Sequence, residues 1–362
     1  MTPREEQILG WIREDPLISQ QELAARAGIT RSSVSVHIAN LTRKGLLRGR
    51  GYLLANEGYV VVVGAVNVDI SGTPETTYLP GDSNPGHVRV TMGGVGRNIA
   101  ENLCRLGRRV VMLTALGEDA NAEMVRHSCR EIGLDLTHAL TVKGGRTSTY
   151  LCLNDETGEI VGAVSDMAIY EALTPEFLST RLEVLNRAAL VIADGNLSAD
   201  TLAWLGKNVS VPLLADPVSV KKAPHLMGAL PFLTALKPNR PEASLLTGVE
   251  IRSHQDLPIA AQAFFDKGVK NVFISLGGEG VYFDDGCDRG ILSCIPGSII
   301  NTNGCGDAFL AAAADGLLLG CSLRDCARRG LAASHICAQS ESAVNPQMSA
   351  EALENVLVNK ED

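Results

Sequence analysis

The chain has 362 residues, 45% of them apolar, and a mean hydropathy of +0.10, enough to bury a sizeable core across two or three domains. A formal net charge of −9 excludes a general polyanion binder, yet Arg31, Arg43, Lys44, Arg48 and Arg50 share one acid-free stretch. The basic segment and the acidic remainder are therefore expected to meet different partners. Nine cysteines without paired CxxC spacing read as buried thiols in a reducing cytosol, not as disulfides or a zinc site. A cytoplasmic location without membrane contact is expected, because there is no basic leader and no run of about eighteen apolar residues.

Ile8, Leu9 and Ile12 fall at helical spacing within residues 4–14, and Asp15-Pro16 ends that segment. Ser19 followed by Glu22 predicts a capping box opening a short helix to Ala27. Gly28 breaks it, and a third helix carries Val34, Ile38 and Leu41 inward. Three helices with a tight glycine turn between the last two is helix-turn-helix spacing. The third helix is expected to expose Arg31, Ser32, Ser33, Ser35, His37 and Asn40 toward bases and phosphates, with Arg43 and Arg48 nearby. Gly45 to Leu54 reads as a small β-wing. Residues 1–57 resemble the winged helix-turn-helix domains of bacterial regulators, which implies DNA binding; the alternative is a cap packed on the next domain.

From residue 58 the pattern changes. Tyr59 to Val63 is a continuous β-branched run, as expected of a parallel strand buried on both faces. Strand and helix then alternate, with strands predicted at Arg109–Ala115, Leu190–Ala193, Pro212–Ala215, Phe232–Ala235 and Asn271–Leu276. That alternation implies a three-layer α/β/α sandwich with ligands at the carboxyl ends of the strands. Alternating stretches near 70–92 and 147–165 fit a small antiparallel β flap over the site.

Asn301-Thr302-Asn303-Gly304-Cys305-Gly306-Asp307 follows an apolar, strand-like run (Ile295, Ile299, Ile300) and precedes the strong helix former Ala308 to Ala314. Unpartnered amides at such a helix start bind anions, and glycines let a phosphate approach them. Asp307 is then either a base that takes a proton from an attacking hydroxyl or a helix cap. Asn67 and Asp69 lie just beyond the first strand, where both can face one pocket or form an Asx turn. Gly93-Gly94 with Asn98 allows close backbone approach to a ligand; a dinucleotide fingerprint is disfavoured, since GxGxxG is not matched and no strand runs directly into the glycines. Asn239 and Glu242 bracket a helix start, suited to a hydrated Mg²⁺ or to simple capping. Ser275, Gly277, Gly278 and Gly280 form a strand-to-glycine turn that could lie along a nucleotide or be an ordinary hairpin.

In order and spacing, these motifs resemble the ribokinase (PfkB) family of carbohydrate and nucleoside kinases over residues 58–362. The resemblance implies that Gly304, Cys305 and Gly306 close around the γ-phosphate of ATP and that Asp307 is the catalytic base. It likewise implies that Asn67, Asp69, Gly93, Gly94, Asn98, Asp166 and Asn196 bind the acceptor. Asn239, Ser275, Gly277, Gly278 and Gly280 would contact ATP, and Glu242 would place Mg²⁺. Within the family, Gly93 to Ala100, Ser165-Asp166-Met167, Asp216 to Ser219 and Leu236 to Ala243 are most similar to pseudouridine kinases. Asn301 stands where most of the family has Asp, which leaves a monovalent-cation requirement open. Ser165 stands where that group is expected to carry Asn, which leaves the nucleobase open. The implied activity is ATP-dependent phosphorylation of the 5′-hydroxyl of a ribonucleoside, pseudouridine foremost, by a homo-oligomer, a dimer. Another nucleoside or a sugar is the alternative acceptor, and a ligand-sensing transcriptional regulator is the alternative of a different class.

Overall fold

The computed structural model describes residues 1–14, 18–44, 46–48, 53–54 and 58–358, and its contacts divide the chain into two units, Met1–Gly58 and Tyr59–Asp362. In the first unit, helices α1 (Pro3–Glu14), α2 (Gln20–Ala27) and α3 (Arg31–Arg43) enclose Ile8, Ile12, Leu23, Val34 and Leu41. The turn between α2 and α3 rests on Gly28, whose φ of 63° is left-handed and costs glycine little. Ser19 caps α2 by accepting from the Glu22 amide at 3.1 Å. The expected box is only half made, because the Glu22 carboxylate pairs with Arg26 at 3.1 Å. Strands β1 (Leu47–Arg48) and β2 (Leu53–Leu54) pair antiparallel beyond α3; Asp15-Pro16, Gly45 and residues 49–52 lie outside the described residues.

The second unit begins with β3 (Val60–Val63), buried at every position as its β-branched run requires. Next come β4 (Asn67–Pro74), β5 (Gly86–Gly93), α4 (Val95–Arg105), β6 (Val110–Leu113), β7 (Ala115–Leu116), α5 (Ala120–Glu131) and β8 (Leu140–Thr141). The middle of the chain forms β9 (Thr149–Asn154), β10 (Ile160–Asp166), α6 (Pro175–Ser179), α7 (Leu182–Asn186), β11 (Leu190–Asp194), α8 (Ala199–Asn208), β12 (Leu213–Asp216) and β13 (Ala235–Leu236). It closes with α9 (Arg240–Thr247), α10 (Leu257–Asp266), β14 (Val272–Ser275), β15 (Val281–Asp284), β16 (Arg289–Leu292), α11 (Cys305–Leu318), α12 (Leu323–Ala338) and α13 (Ala350–Val358).

The main sheet has eight strands in the order β16-β15-β14-β13-β12-β11-β3-β6. Strands from β6 to β14 run parallel, and the last two are antiparallel. Two apolar clusters cover its faces, one containing Leu202, Leu246 and Phe264 of α8, α9 and α10, the other Ile99 and Leu310 of α4 and α11. The chain thus forms an α/β/α sandwich. A second sheet of four strands, ordered β10-β9-β4-β5, makes the flap. It is mixed where an antiparallel flap was expected, because β4 pairs parallel to β9.

Two further expectations change. The run before the phosphate turn is not a strand: the preceding strand ends at Leu292, and Ile299 and Ile300 are 70% and 60% exposed. The strand expected at Phe232–Ala235 shifts to Ala235–Leu236, since Leu230–Phe232 is a short 3₁₀ turn containing Pro231, which has no N–H for a ladder. All nine cysteines are free, but Cys287 and Cys294 are exposed, not buried. Among the described residues no helix is long and apolar enough to cross a membrane.

Helix α11 is a core helix, buried from Asp307 to Gly316. Phe309 meets Phe273 of β14 edge-on at 5.5 Å, worth about 0.5–1.5 kcal/mol beyond the area it buries. Further along, buried Asp315 accepts from Arg108 and from Arg329, each at 2.6 Å. These anchors fix the position of the helix start.

Candidate active site

Gly304 is the N-cap of α11 at φ 80°, and a Cβ there would lie 1.9 Å from the Ala343 carbonyl oxygen. Only glycine fits that turn. Among the described residues the Gly306 and Asp307 amides find no acceptor, leaving two donors at the positive end of the helix dipole. Gly306 sits so close to Lys237 that a Cβ would come 2.8 Å from Nζ. Lys237 is buried and pairs with Asp216 at 2.9 Å. Burial alone would lower its pKa, but the charge and hydrogen bond of Asp216, with the charges of Asp307 and Glu242 added, make the net direction upward. Free amides above a cation form an anion site.

The capping alternative for Asp307 fails on geometry: its Oδ2 accepts from Asn98 Nδ2 at 2.8 Å, and no helix amide reaches it. Asp307 is 8% exposed. Burial pushes its carboxyl up to about 7, with the charge of Asp216 adding to the shift while Asn98 and Lys237 oppose it. A carboxylate with that proton affinity can serve as a general base near neutral pH.

A second polar cluster is built at the carboxyl ends of β3 and β11. Asp194 ends β11 and accepts the Ala65 amide at 2.8 Å, fixing the loop that leads into β4. There Asn67 Oδ1 accepts from Ser148 Oγ at 3.1 Å, and the Tyr170 hydroxyl accepts the Val66 amide at 2.8 Å. Gly94, at φ 97°, lets α4 start within 2.6 Å, measured from its would-be Cβ, of the Ala65 oxygen. Gly93 lies against Asp69, whose Oδ2 would be 2.0 Å from a Cβ there. Burial pushes Asp69 up to about 6. Among the described residues, Asp69 Oδ1 and Asn98 Oδ1 are buried without partners. Buried acceptors are rarely left unmet, and these two suit hydroxyl donors.

A strand does run directly into the glycines, contrary to expectation: β5 ends at Gly93 and α4 begins at Val95. That strand belongs to the flap, so the turn is not the mononucleotide unit of a dinucleotide fold. Asp166 is not brought to the site. Register sets Ser165 opposite Tyr150, and Tyr150 opposite Asp69, while exposed Asp166 lies on the other face of the flap. Asn196 forms no Asx turn of its own; Asp194 Oδ1 takes its amide at 2.9 Å, and its side-chain oxygen binds Lys222 Nζ.

At the start of α9, Asn239 and Glu242 make a complete capping box, each accepting the other's amide at 2.9 Å. One oxygen of Glu242 is spent there; the other accepts no hydrogen bond among the described residues. A single carboxylate oxygen fits a Mg²⁺ that keeps its waters and binds phosphates, not an all-protein cage. Among the described residues no cluster of three or more His, Cys, Asp or Glu could hold a metal by itself. Ser275 ends β14 half-buried, donating to the Pro238 oxygen at 3.3 Å. Gly277 and Gly278 are exposed with open space at their Cβ positions, while Gly280 at φ 111° packs on Leu292. The turn connects antiparallel β14 and β15, as the hairpin alternative expects.

Residues 57–350 match the model of the pfkB family carbohydrate kinases. The chain belongs to the pfkB family of carbohydrate kinases. Residues 1–48 match a winged helix-turn-helix DNA-binding family. The kinase is 37% identical to the uncharacterized sugar kinase YeiI of Escherichia coli (strain K12), covering 97% of this chain and 98% of that one. It is 36% identical to the pseudouridine kinase of the same organism, over 82% and 95% of the two chains. A carbohydrate kinase from Agrobacterium tumefaciens superposes with a TM-score of 0.74 at 29% identity, over 83% and 97% of the two chains. Phosphoryl transfer is the reaction class.

In this pfkB kinase, Asp194, Asp216, Lys237, Ser148 and Tyr170 also build the site, and sequence reasoning gave them no role. The legible signal was position: both aspartates close parallel strands, where α/β sheets place ligands. After Asp216, Val218 holds φ 70°, a left-handed conformation that costs a β-branched residue about 1–3 kcal/mol and is typical of a functional turn. On α3, Arg31, Ser32 and Ser35 are exposed as expected, though Ser35 donates to Gln20 at 2.9 Å. Ser33 and His37 are half-buried, not exposed; Ser33 Oγ shares a hydrogen bond with Thr30 at 2.9 Å, and His37 Nδ1 is buried without a partner among the described residues. Asn40 is also half-buried and accepts from Arg43. The Arg48 side chain lies outside what is described.

Proposed function

We propose that this kinase transfers the γ-phosphoryl group of ATP to the 5′-hydroxyl of a ribonucleoside, with pseudouridine the preferred acceptor. The observation that carries the reading is Asp307, a carboxylate with near-neutral proton affinity beside two unpartnered helix amides. Its Oδ2 is steadied by Asn98, so Asp307 removes the acceptor's proton as the oxygen attacks. The Gly306 and Asp307 amides, above Lys237, hold the transferring group. Asp69 Oδ1 and Asn98 Oδ1 take the ribose hydroxyls, and the flap excludes water. Glu242 would hold Mg²⁺, which when bound neutralises charge on the phosphates.

The likeness to a pseudouridine kinase over 95% of that chain supports the nucleoside; the likeness to a sugar kinase supports the alternative acceptor. Turnover by the purified chain of pseudouridine, uridine, inosine, guanosine, ribose and fructose with ATP and Mg²⁺ separates them. Pseudouridine is expected to show the highest kcat/KM; phosphorylation of free sugars alone overturns the nucleoside reading.

The exposed residues of α3 and the matched family support DNA binding by the first unit, which would let the kinase also act as a regulator. Footprinting on the gene's upstream DNA at moderate salt is expected to show protection, and its absence sinks this role. We also propose that a second copy covers the flap. Val90, Ile70, Leu151 and Val164 stand opposite one another across its strands, so they share a face, and all but Ile70 are exposed. Contiguous exposed apolar surface of this kind marks interaction sites. Sedimentation of Leu151→Lys as a monomer where the unaltered chain is a dimer is the expected result; two identical monomers overturn it.

A further inference from the structure

Lys222 follows the strained turn after β12 and is half-buried. Its backbone is set by Val218, whose amide donates to Asp216 Oδ1 at 2.7 Å, and by its own amide, which donates to Ser219 at 3.0 Å. Its ammonium donates to Asn196 Oδ1 and approaches Met167 Sδ at 3.5 Å. Among the described residues it makes no ion pair. Burial lowers its pKa, with Asp194 opposing this and Lys221 adding to it. A half-buried cation met only by a neutral amide and a thioether is undercompensated, and it invites an electron-rich partner.

Its place in the fold says what that partner is. Strands β3, β11 and β12 are neighbours, so the segments after them, carrying Asn67, Asn196 and Lys222, lie in a row along one sheet edge. Asn98 and Asp307 reach this edge from α4 and α11, on one face of the sheet. Met167 packs into the core on the opposite face. Three residues beyond Met167, Tyr170 contacts the Val66–Asn67 backbone and side chain, tying the two ends together. An acceptor with its reacting hydroxyl at Asp307 that crosses this edge toward the face holding Met167 would bring its other end toward Lys222.

We propose that Lys222 is a specificity-determining residue of the acceptor pocket, its ammonium donating to a ring carbonyl of the nucleobase while Asn196 aims it. The inference rests on the nucleoside reading above and narrows it to bases that present an oxo group. A site built to donate to such a group loses discrimination when the donor is removed.

The test is Lys222→Met in the full chain, with pseudouridine and ribose as acceptors. The ratio of kcat/KM for pseudouridine over ribose is expected to fall at least about tenfold, with pseudouridine affinity by calorimetry falling alongside. An unchanged ratio overturns the assignment, as does a parallel loss on both acceptors. If Lys222→Met fails to fold, Lys222→Gln, which keeps a polar end without the charge, is read by the same ratio and the same criteria. A wild-type chain that phosphorylates ribose faster than any nucleoside overturns the nucleoside reading itself. A wild-type preference for pseudouridine that survives the substitution overturns only the role of Lys222.

Discussion

Below about pH 7 the Asp307 carboxylate holds its proton because burial and the charge of Asp216 favour the neutral form. If it is the base, kcat/KM falls about tenfold per pH unit on the acid side of that value; a profile flat from pH 8 to pH 5 removes it from that role. Asp307→Asn keeps an oxygen for Asn98 and is expected to lower kcat by about 10²–10⁴ while both substrates still bind. The same residue makes a stability prediction. Its folded pKa lies above the unfolded value, so the native state binds more protons between the two, and stability falls as pH rises from about 4 to about 7. Asp307→Asn removes that burden and should raise the melting midpoint at pH 8 by about 2–4 °C, an exchange of stability for function; a lowered midpoint contradicts it. The acid itself was readable from its glycine-flanked helix start. Its tuning was not, since Asp216 and Lys237 reach it only through the order of parallel strands.

Around Gly304 the helix mouth is a single tight object. Gly304→Ala must force an L-residue to φ 80° and push a methyl into the Ala343 carbonyl, so it is expected to cost about 1–3 kcal/mol or more and to abolish turnover. Gly278→Ala, with nothing within 4 Å of its Cβ, should shift stability by less than about 0.5 kcal/mol; calorimetry of the two variants together decides, and equal losses refute the distinction. Elements governed by local chemistry were legible: the Asn239–Glu242 box, the Gly28 turn and the Ala-rich α11 all announce themselves within a few residues. The start of strand β4 was not. Asn67 to Asp69 after a glycine reads as a turn, and only pairing with both β5 and β9 turns its alternation of Val68 and Ile70 against Asn67, Asp69 and Ser71 into one of the flap's two inner strands.

At the scale of the molecule, the chain divides at Gly58, and each unit carries its own apolar core. A fragment of residues 59–362 should therefore retain kcat/KM within about twofold of the full chain, measured with ATP and the preferred acceptor; loss of turnover on truncation refutes independence. The sandwich was legible because strand–helix alternation permits few arrangements. The flap's apolar outer face was not, since which side a residue takes depends on cross-strand register. That register also makes β4 a lever. Its root carries Asn67 and Asp69, the latter proposed above to take a ribose hydroxyl, and its shaft runs unbroken to Pro74. On the proposed function, bracing the tip should sharpen the grip at the root, and by reciprocity a sugar seated at the root should quiet the tip.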